Sequence, residues 1–204
     1  MIRGALVAVV GPSGAGKDTL ISHARDTLLG DARYLFVRRV VTRPAGPFED
    51  HDTTTEAEFT RREANGDFAL SWRAHGLSYG VPLAVLGAVE GGVIAVCNLS
   101  RGALSDARRR FPRVVTLLVT APNAVIAARL AARGRESEEE AARRLDRESR
   151  VSKAISADRV VSNDSTREEG GRKFVLCLER IRSEIAASVA EPPRPGAAAR
   201  PLTT

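Results

Sequence analysis

The chain has 204 residues, enough to bury one substantial core in one or at most two domains, and its 43% hydrophobic and 27% charged residues are ordinary for a globular protein. No run approaches the roughly 20 apolar residues that cross a bilayer, and no basic leader with an apolar core precedes the first strand, so a cytoplasmic location without a membrane partner is expected. The net charge of +6 would suit nucleic acid, an acidic surface or phosphorylated small molecules; the arginines are spread over several segments, which favours solvated helix faces and a few phosphate ligands over a nucleic-acid patch. Cys97 and Cys177 stand far apart inside apolar stretches and are expected to be buried free thiols, with no support for a disulfide framework or a zinc site.

Residues 3–10 read as a strand whose near-continuous Val, Ala and Leu suit a parallel sheet covered on both faces. Next comes Gly11-Pro12-Ser13-Gly14-Ala15-Gly16-Lys17-Asp18-Thr19, which opens a helix predicted over 18–29 and ended by Gly30. Gly11, four residues, then Gly16-Lys17 form the frame in which backbone N–H groups cradle phosphate oxygens and the lysine reaches the terminal ones. Asp18 stands where that pattern expects Ser or Thr against magnesium. A carboxylate is also a hard oxygen ligand, so the metal role stays open between Asp18 and Thr19.

Residues 34–41 are β-branched and predict a second strand, ended by Thr42-Arg43-Pro44 because proline lacks a donor and restricts its predecessor. A polar loop follows over 44–52, then a helix over 55–65 with Thr54 or Thr55 as its cap. Short strands over 68–73 and 78–81 flank a His75-Gly76 turn, the shape of an inserted hairpin. Beyond them the pattern predicts a helix over 82–89, a buried strand over 93–99, a helix over 101–111 and a strand over 114–120. Helices over 123–133 and 137–155 follow, the second densely charged and opened by a Ser137/Glu140 capping box. A last strand over 159–162 and a closing helix over 172–189, with Phe174, Leu178, Ile181 and Ile185 at helical spacing, complete the pattern. The Pro, Ala, Gly and Arg of 191–204 predict a disordered tail. Five parallel strands alternating with helices make the class α/β, a doubly wound sheet covered by helices on both faces, with the phosphate loop after its first strand.

Several segments together resemble the guanylate-kinase-like branch of the P-loop nucleoside monophosphate kinases: residues 11–17 as the phosphate loop, Thr42-Arg43-Pro44, Leu70-Ser71-Trp72 with His75-Gly76 and Tyr79-Gly80, then Arg129-Leu130, Arg133-Gly134, Arg144-Leu145 and Asn163-Asp164. The likeness implies a single kinase domain over 1–190, with its core at 1–42 and 82–190, an acceptor-binding insert at about 43–81 and a helical lid at about 133–150. Where guanylate kinases carry the glutamate and the Ser or Thr that read guanine, this chain has Ser71 and Val81. A site built to hydrogen-bond a base discriminates through such groups, so their loss argues for a phosphate ester without a purine.

That combination, with Asp18 after the loop lysine and the Asn98-Leu99-Ser100-Arg101 string, is similar to the ribose 1,5-bisphosphate phosphokinase (PhnN) family. The resemblance implies transfer of the ATP γ-phosphate to ribose 1,5-bisphosphate, giving 5-phosphoribosyl 1-diphosphate (PRPP) during phosphonate use, with ATP and Mg²⁺ required. A phosphorylated sugar is then the partner, and a homodimer is compatible with it.

By the same resemblance Gly11, Pro12, Ser13, Gly14, Ala15, Gly16, Lys17, Asp18, Thr19 and Asn163 would hold ATP, and Lys17, Arg133 and Arg144 would act in catalysis. Arg43, Ser71, Tyr79 and Arg101 would hold the acceptor, Arg101 as a ligand for its second phosphate or as a solvated helix-start arginine, and Asp18 the metal. His75 tempts as an acid or base, but a phosphate acceptor has no proton to move. His23 and His51 carry no constellation. The competing readings are a guanylate or other nucleoside monophosphate kinase, which Ser71 and Val81 oppose, and a catalytically dead kinase-like binding module, which the intact Gly16-Lys17 opposes.

Overall fold

The computed structural model describes residues 4–46, 49–131 and 156–190. The chain begins with β1 (Ala5–Val10), α1 (Lys17–Thr27), β2 (Tyr34–Phe36), β3 (Arg39–Val41) and β4 (His51–Thr53). It continues through α2 (Glu56–Ala64), β5 (Phe68–Ala74), β6 (Leu77–Pro82), α3 (Ala84–Glu90) and β7 (Ile94–Asn98). After a 3-10 turn at Arg101–Ala103 come α4 (Leu104–Arg110), β8 (Val114–Thr120), α5 (Asn123–Ala131), β9 (Arg159–Ser162) and α6 (Arg167–Ala190).

A five-stranded parallel sheet runs β2-β7-β1-β8-β9, with β1 in the middle and every residue of β1 buried. One face packs on α1 and α6 through Val7, Val9, Leu20, Phe174, Leu178 and Ile181. The opposite face packs Leu6, Ala8, Val10, Val85, Leu104 and Phe111. Apolar side chains on both faces are what a parallel strand covered by helices requires. α1 and α6 meet closely because position 171 is a glycine: a Cβ there would lie 2.3 Å from the His23 ring.

The predicted strand over 34–41 is two strands in two sheets. β2 pairs with β7, and after Val37 and Arg38 the chain leaves that sheet, so that β3 joins a second one ordered β4-β3-β6-β5. β-branched residues indicate extended backbone but not which partner will supply its hydrogen bonds. β4 arises inside the stretch predicted as a polar loop: its three residues pair in parallel with β3, and a short polar edge strand leaves no hydrophobic alternation to detect. The helix predicted over 101–111 begins instead as the 3-10 turn, and α6 starts five residues earlier than the predicted 172, with Thr166 Oγ1 accepting from the Glu169 N–H at 3.2 Å. Thr55 caps α2 as predicted, accepting from the Glu58 N–H at 3.2 Å.

β5 and β6 form a hairpin whose two-residue turn is His75-Gly76, with φ of 53° and 72°. Two successive positive φ values match the twist of the flanking strands, and that conformational duty accounts for His75, which is exposed at the turn. The expected helix over 137–155, the lid at 133–150 and the tail at 191–204 lie outside the described residues.

Phe174 is fully buried between the parallel sheet and α1. Replacing it with alanine should cost about 3–5 kcal/mol by transfer loss plus cavity formation, read as a lower denaturation midpoint in urea with an unchanged slope.

Candidate active site

The glycine loop leaves the C-terminal end of β1 and enters α1 at Gly16, which caps the helix at φ 88° without any side-chain cap. The first N–H groups of α1 therefore point into the loop, the arrangement that binds phosphate. Lys17 Nζ donates to the carbonyls of Gly11 at 2.8 Å and Pro12 at 3.0 Å, which holds the ammonium over the same concavity.

The loop is braced from behind by elements remote in sequence. Asn163, just past β9 and 4% exposed, donates Nδ2 to the Ala15 carbonyl at 2.7 Å, and Arg129 of α5 reaches the same oxygen at 3.4 Å. A Cβ at Gly16 would lie 2.4 Å from that amide nitrogen, and one at Gly14 would lie 2.9 Å from Ile126. Pro12, Gly14 and Ala15 are buried; Ser13, Gly16, Asp18 and Thr19 are half-buried.

Asp18, in the first turn of α1, accepts from Asn98 Nδ2 at 2.7 Å, and Asn98 ends β7, the neighbour of β1. In P-loop NTPases magnesium is held by a loop Ser or Thr and an aspartate elsewhere; here the carboxylate stands on the helix and the strand end carries the amide. Among the described residues no three His, Cys, Asp or Glu side chains cluster as a metal cage. One carboxylate beside a phosphate loop fits Mg²⁺, which takes one or two protein oxygens and completes its shell with water and substrate phosphate.

Beside Asp18 opens a cleft of about 570 Å³, lined among others by Ser22, Arg25, Phe36, Arg39, Glu49 and Asn98. Charged groups bind its far wall together. Arg43 pairs with Glu49 at 2.6 Å and donates to the Pro44 carbonyl at 3.0 Å, and Arg25 pairs with Asp50. Arg38 pairs with Asp50 at 3.1 Å and Asp52 at 2.8 Å. Glu49 also accepts from the Gly46 N–H at 3.3 Å, and buried His51 meets the Arg43 carbonyl through Nε2 at 3.0 Å.

Tyr79 lies beside Arg43 and stacks on Trp72 at 5.2 Å between ring centroids with planes 6° apart, and the Arg39 guanidinium lies 5.6 Å from its ring centroid. The structure thus brings Arg43 and Tyr79 together. Ser71 alternates to the opposite face of β5, where it and Arg73 hold the Glu63 carboxyl below its usual range, Arg73 most strongly. Arg101 opens the 3-10 turn after β7. Arg133 and Arg144 lie outside the described residues.

Arg25, Arg39 and Glu49 drew no role from the sequence; His51 was set aside as carrying no constellation, and Asn98 was named only as part of a string. For Asn98 a signal existed: an amide stands at the strand end while a carboxylate stands at the loop.

A glycine loop after a central parallel strand, its lysine at a helix start, a carboxylate beside it and a polar cleft on the same sheet edge define a P-loop phosphotransferase. No model of a protein family matches the chain. The fold is that of guanylate kinase from Anaplasma phagocytophilum, with a TM-score of 0.60 at 21% identity over 94% of this chain and 90% of that one. Sequence relatives are closer. The ribose 1,5-bisphosphate phosphokinase PhnN of Acidiphilium cryptum is 49% identical over 179 residues, 88% of this chain and 94% of its own. That of Brucella abortus is 48% identical over 188 residues, 91% of this chain and 97% of its own. The chain belongs to the ribose 1,5-bisphosphate phosphokinase family.

Two outcomes test the site's construction. Asn163→Ala removes the buried brace on Ala15 and should raise the KM for ATP about 10-fold with a smaller change in kcat, because the loop loses its fixed shape before it loses any phosphate donor. The hydrogen-bonded Arg43 holds the Glu49 carboxyl below its ordinary 4.5 despite partial burial. A lowered folded-state value means the pair adds stability that is complete above the ordinary value and disappears as pH falls through the lowered one. Chemical unfolding followed between about pH 6 and about pH 3 should therefore show a shallower loss for Glu49→Gln than for the parent chain.

Proposed function

We propose that the chain transfers the γ-phosphate of ATP to the 1-phosphate of ribose 1,5-bisphosphate, giving ADP and 5-phospho-α-D-ribose 1-diphosphate, PRPP, in cytoplasmic phosphonate catabolism. The observation that supports this most is the 49% identity to an enzyme named for that reaction across 88% of this chain. The cleft beside the loop adds support, since Arg25 and Arg39 in its lining suit an acceptor that carries phosphate.

An ionised phosphate oxygen of the acceptor attacks the γ-phosphorus, a new P–O–P bond forms, and the bond to the β-phosphate breaks with its electron pair leaving on ADP. The acceptor is already anionic near neutral pH, so no general base is needed and catalysis reduces to positioning and charge neutralisation. The backbone N–H groups of residues 13–17 hold the β-phosphate, and Lys17 turns from the Gly11 and Pro12 carbonyls to the β- and γ-oxygens. Magnesium bound with ATP would neutralise the transferring oxygens, with Asp18 or Thr19 as its protein anchor. Arg43 grips the acceptor phosphate with a planar fork that lysine cannot reproduce, and Tyr79 supports it. Arg101 completes the acceptor side, whereas Ser71, on the face of β5 turned to Glu63, takes no part in it. Arg133 and Arg144 of the lid close over the nucleotide and stabilise charge on the transferred group.

Product analysis with ATP and Mg²⁺ against ribose 1,5-bisphosphate and against GMP decides the acceptor: PRPP should form, with GMP turned over at least 100-fold more slowly. Rapid GMP phosphorylation would overturn the reading. Lys17→Ala should lower kcat by about 100-fold or more, as expected for lost charge stabilisation in the transition state.

A further inference from the structure

We infer that His51 is a positioning residue on the acceptor side: it takes up a proton and receives the Glu49 carboxylate when an acceptor phosphate displaces that carboxylate from Arg43. The inference rests on the proposed role of Arg43 in holding the acceptor, and it says where the displaced carboxylate goes. In the structure the Arg43 guanidinium is engaged by Glu49 at 2.6 Å and by the Pro44 carbonyl at 3.0 Å. A carboxylate and a phosphate compete for the same N–H donors, so a phosphate that takes Arg43 in a two-pronged contact drives Glu49 off. Glu49 lines the cleft, and once displaced it would set a like charge beside the incoming anion.

The His51 side chain is 1% exposed, and its Nδ1 lies 3.8 Å from Glu49 Oε2, the same oxygen that meets Arg43. That buried nitrogen has no hydrogen-bond partner, which in a folded chain calls for an explanation. The other ring nitrogen fixes the tautomer. Nε2 lies 3.0 Å from the Arg43 carbonyl, which can only accept, so Nε2 carries the hydrogen and Nδ1 of the neutral ring presents a lone pair. A lone pair facing a carboxylate cannot bond it, and closing the gap requires a proton on Nδ1.

The charges on the neighbouring elements leave Glu49 as the partner for that proton. Asp50 and Asp52, on either side of His51, pair with Arg25 of α1 and with Arg38. Glu56 of α2 accepts from Ser78 Oγ of β6 at 2.7 Å, and Tyr79 of β6 lies beside Arg43. Among the described residues Glu49 is the carboxylate within ion-pair distance of His51. Arg43, and Arg39 set opposite His51 by the pairing of β3 with β4, oppose a positive ring while Glu49 remains bound to Arg43. A phosphate on Arg43 removes that opposition and releases Glu49 in one step. The proton then passes from solvent to Nδ1, and a charge-assisted N–H···O bond to Glu49 replaces the ion pair that Arg43 gave up.

The test is calorimetric titration of ribose 1,5-bisphosphate into the chain saturated with ADP and Mg²⁺, so that no phosphate is transferred, near neutral pH in buffers of differing ionisation enthalpy. The dependence of the heat on the buffer counts the protons exchanged. The parent should take up about half a proton or more per acceptor beyond His51→Gln, which keeps a donor for the Arg43 carbonyl but has no site for a second proton. Glu49→Gln, with no carboxylate charge to draw the proton, should lose the same increment and carries the test if the His51 variant fails to fold. Protons exchanged by the phosphates of the ligand itself are common to the parent and both variants and cancel. A purely structural His51 would weaken binding in His51→Gln and leave the count unchanged. Equal counts in all three therefore overturn the inference while leaving the reaction intact. A parent chain that neither binds ribose 1,5-bisphosphate nor makes PRPP from it with ATP overturns the proposed reaction and this assignment with it.

Discussion

Everything in this molecule depends on one loop being held in a shape its own residues do not favour. Residues 11–16 lead into α1 in the arrangement by which such loops bind phosphate, and Gly16 makes that entry at φ 88°. The loop's own bonds are few, Ala15 N–H to the Pro12 carbonyl at 3.2 Å and Lys17 to the Gly11 and Pro12 carbonyls, so the surrounding structure helps to fix it. The amide of Asn163 performs that task from the far side of β9, with Arg129 and Ile126 of α5 against the same short segment. The C-terminal edge of the parallel sheet is therefore a scaffold that converges on Ala15. Burial of β1 on both faces keeps that edge from moving.

The acceptor half obeys a different logic. It hangs on a small second sheet whose short β4 is polar; Val40, Val41, Leu70 and Val81 are buried in that sheet, while charge ties together its rim, where Arg43, Glu49 and His51 interlock and Asp50 bridges Arg25 and Arg38. Paired charges at a half-exposed surface contribute modestly to stability, so such a wall can exchange its internal partners for the oxygens of a ligand at little net cost. A cleft built from interlocked opposite charges suits a small anionic sugar, whose phosphates compete for the arginines and whose hydroxyls can meet the carboxylates. Arg39 is the exception: among the described residues no carboxylate lies within ion-pair distance of it, and its guanidinium lies 5.6 Å from the centroid of the Tyr79 ring, which stacks on Trp72.

The Asp18–Asn98 contact shows how close reading of a motif can single out a residue and miss its partner. Asp18 stood out because it broke a pattern of types at fixed spacing, which a sequence displays directly. Asn98 is 80 residues away, and only the parallel pairing of β1 with β7 sets the two side by side. The partnership of Glu49 and His51 was invisible for a related reason. Their stretch has no periodicity, and β4 exists because β3 offers it an edge.

By itself the sequence determined the α/β class, the five parallel strands, the phosphate loop and its lysine, and the absence of the residues that would read guanine. Each of these is a matter of residue type at short spacing or of hydrophobic period, and local physics enforces both. Tertiary structure decided where residues 34–41 divide between two sheets, which side chains brace Ala15, that Ser71 faces Glu63 while Tyr79 faces Arg43 and Arg39, and which arginines already hold a carboxylate. Those outcomes turn on which distant backbone edge and which opposite charge arrive at the same place, and such meetings are settled only when the whole chain packs.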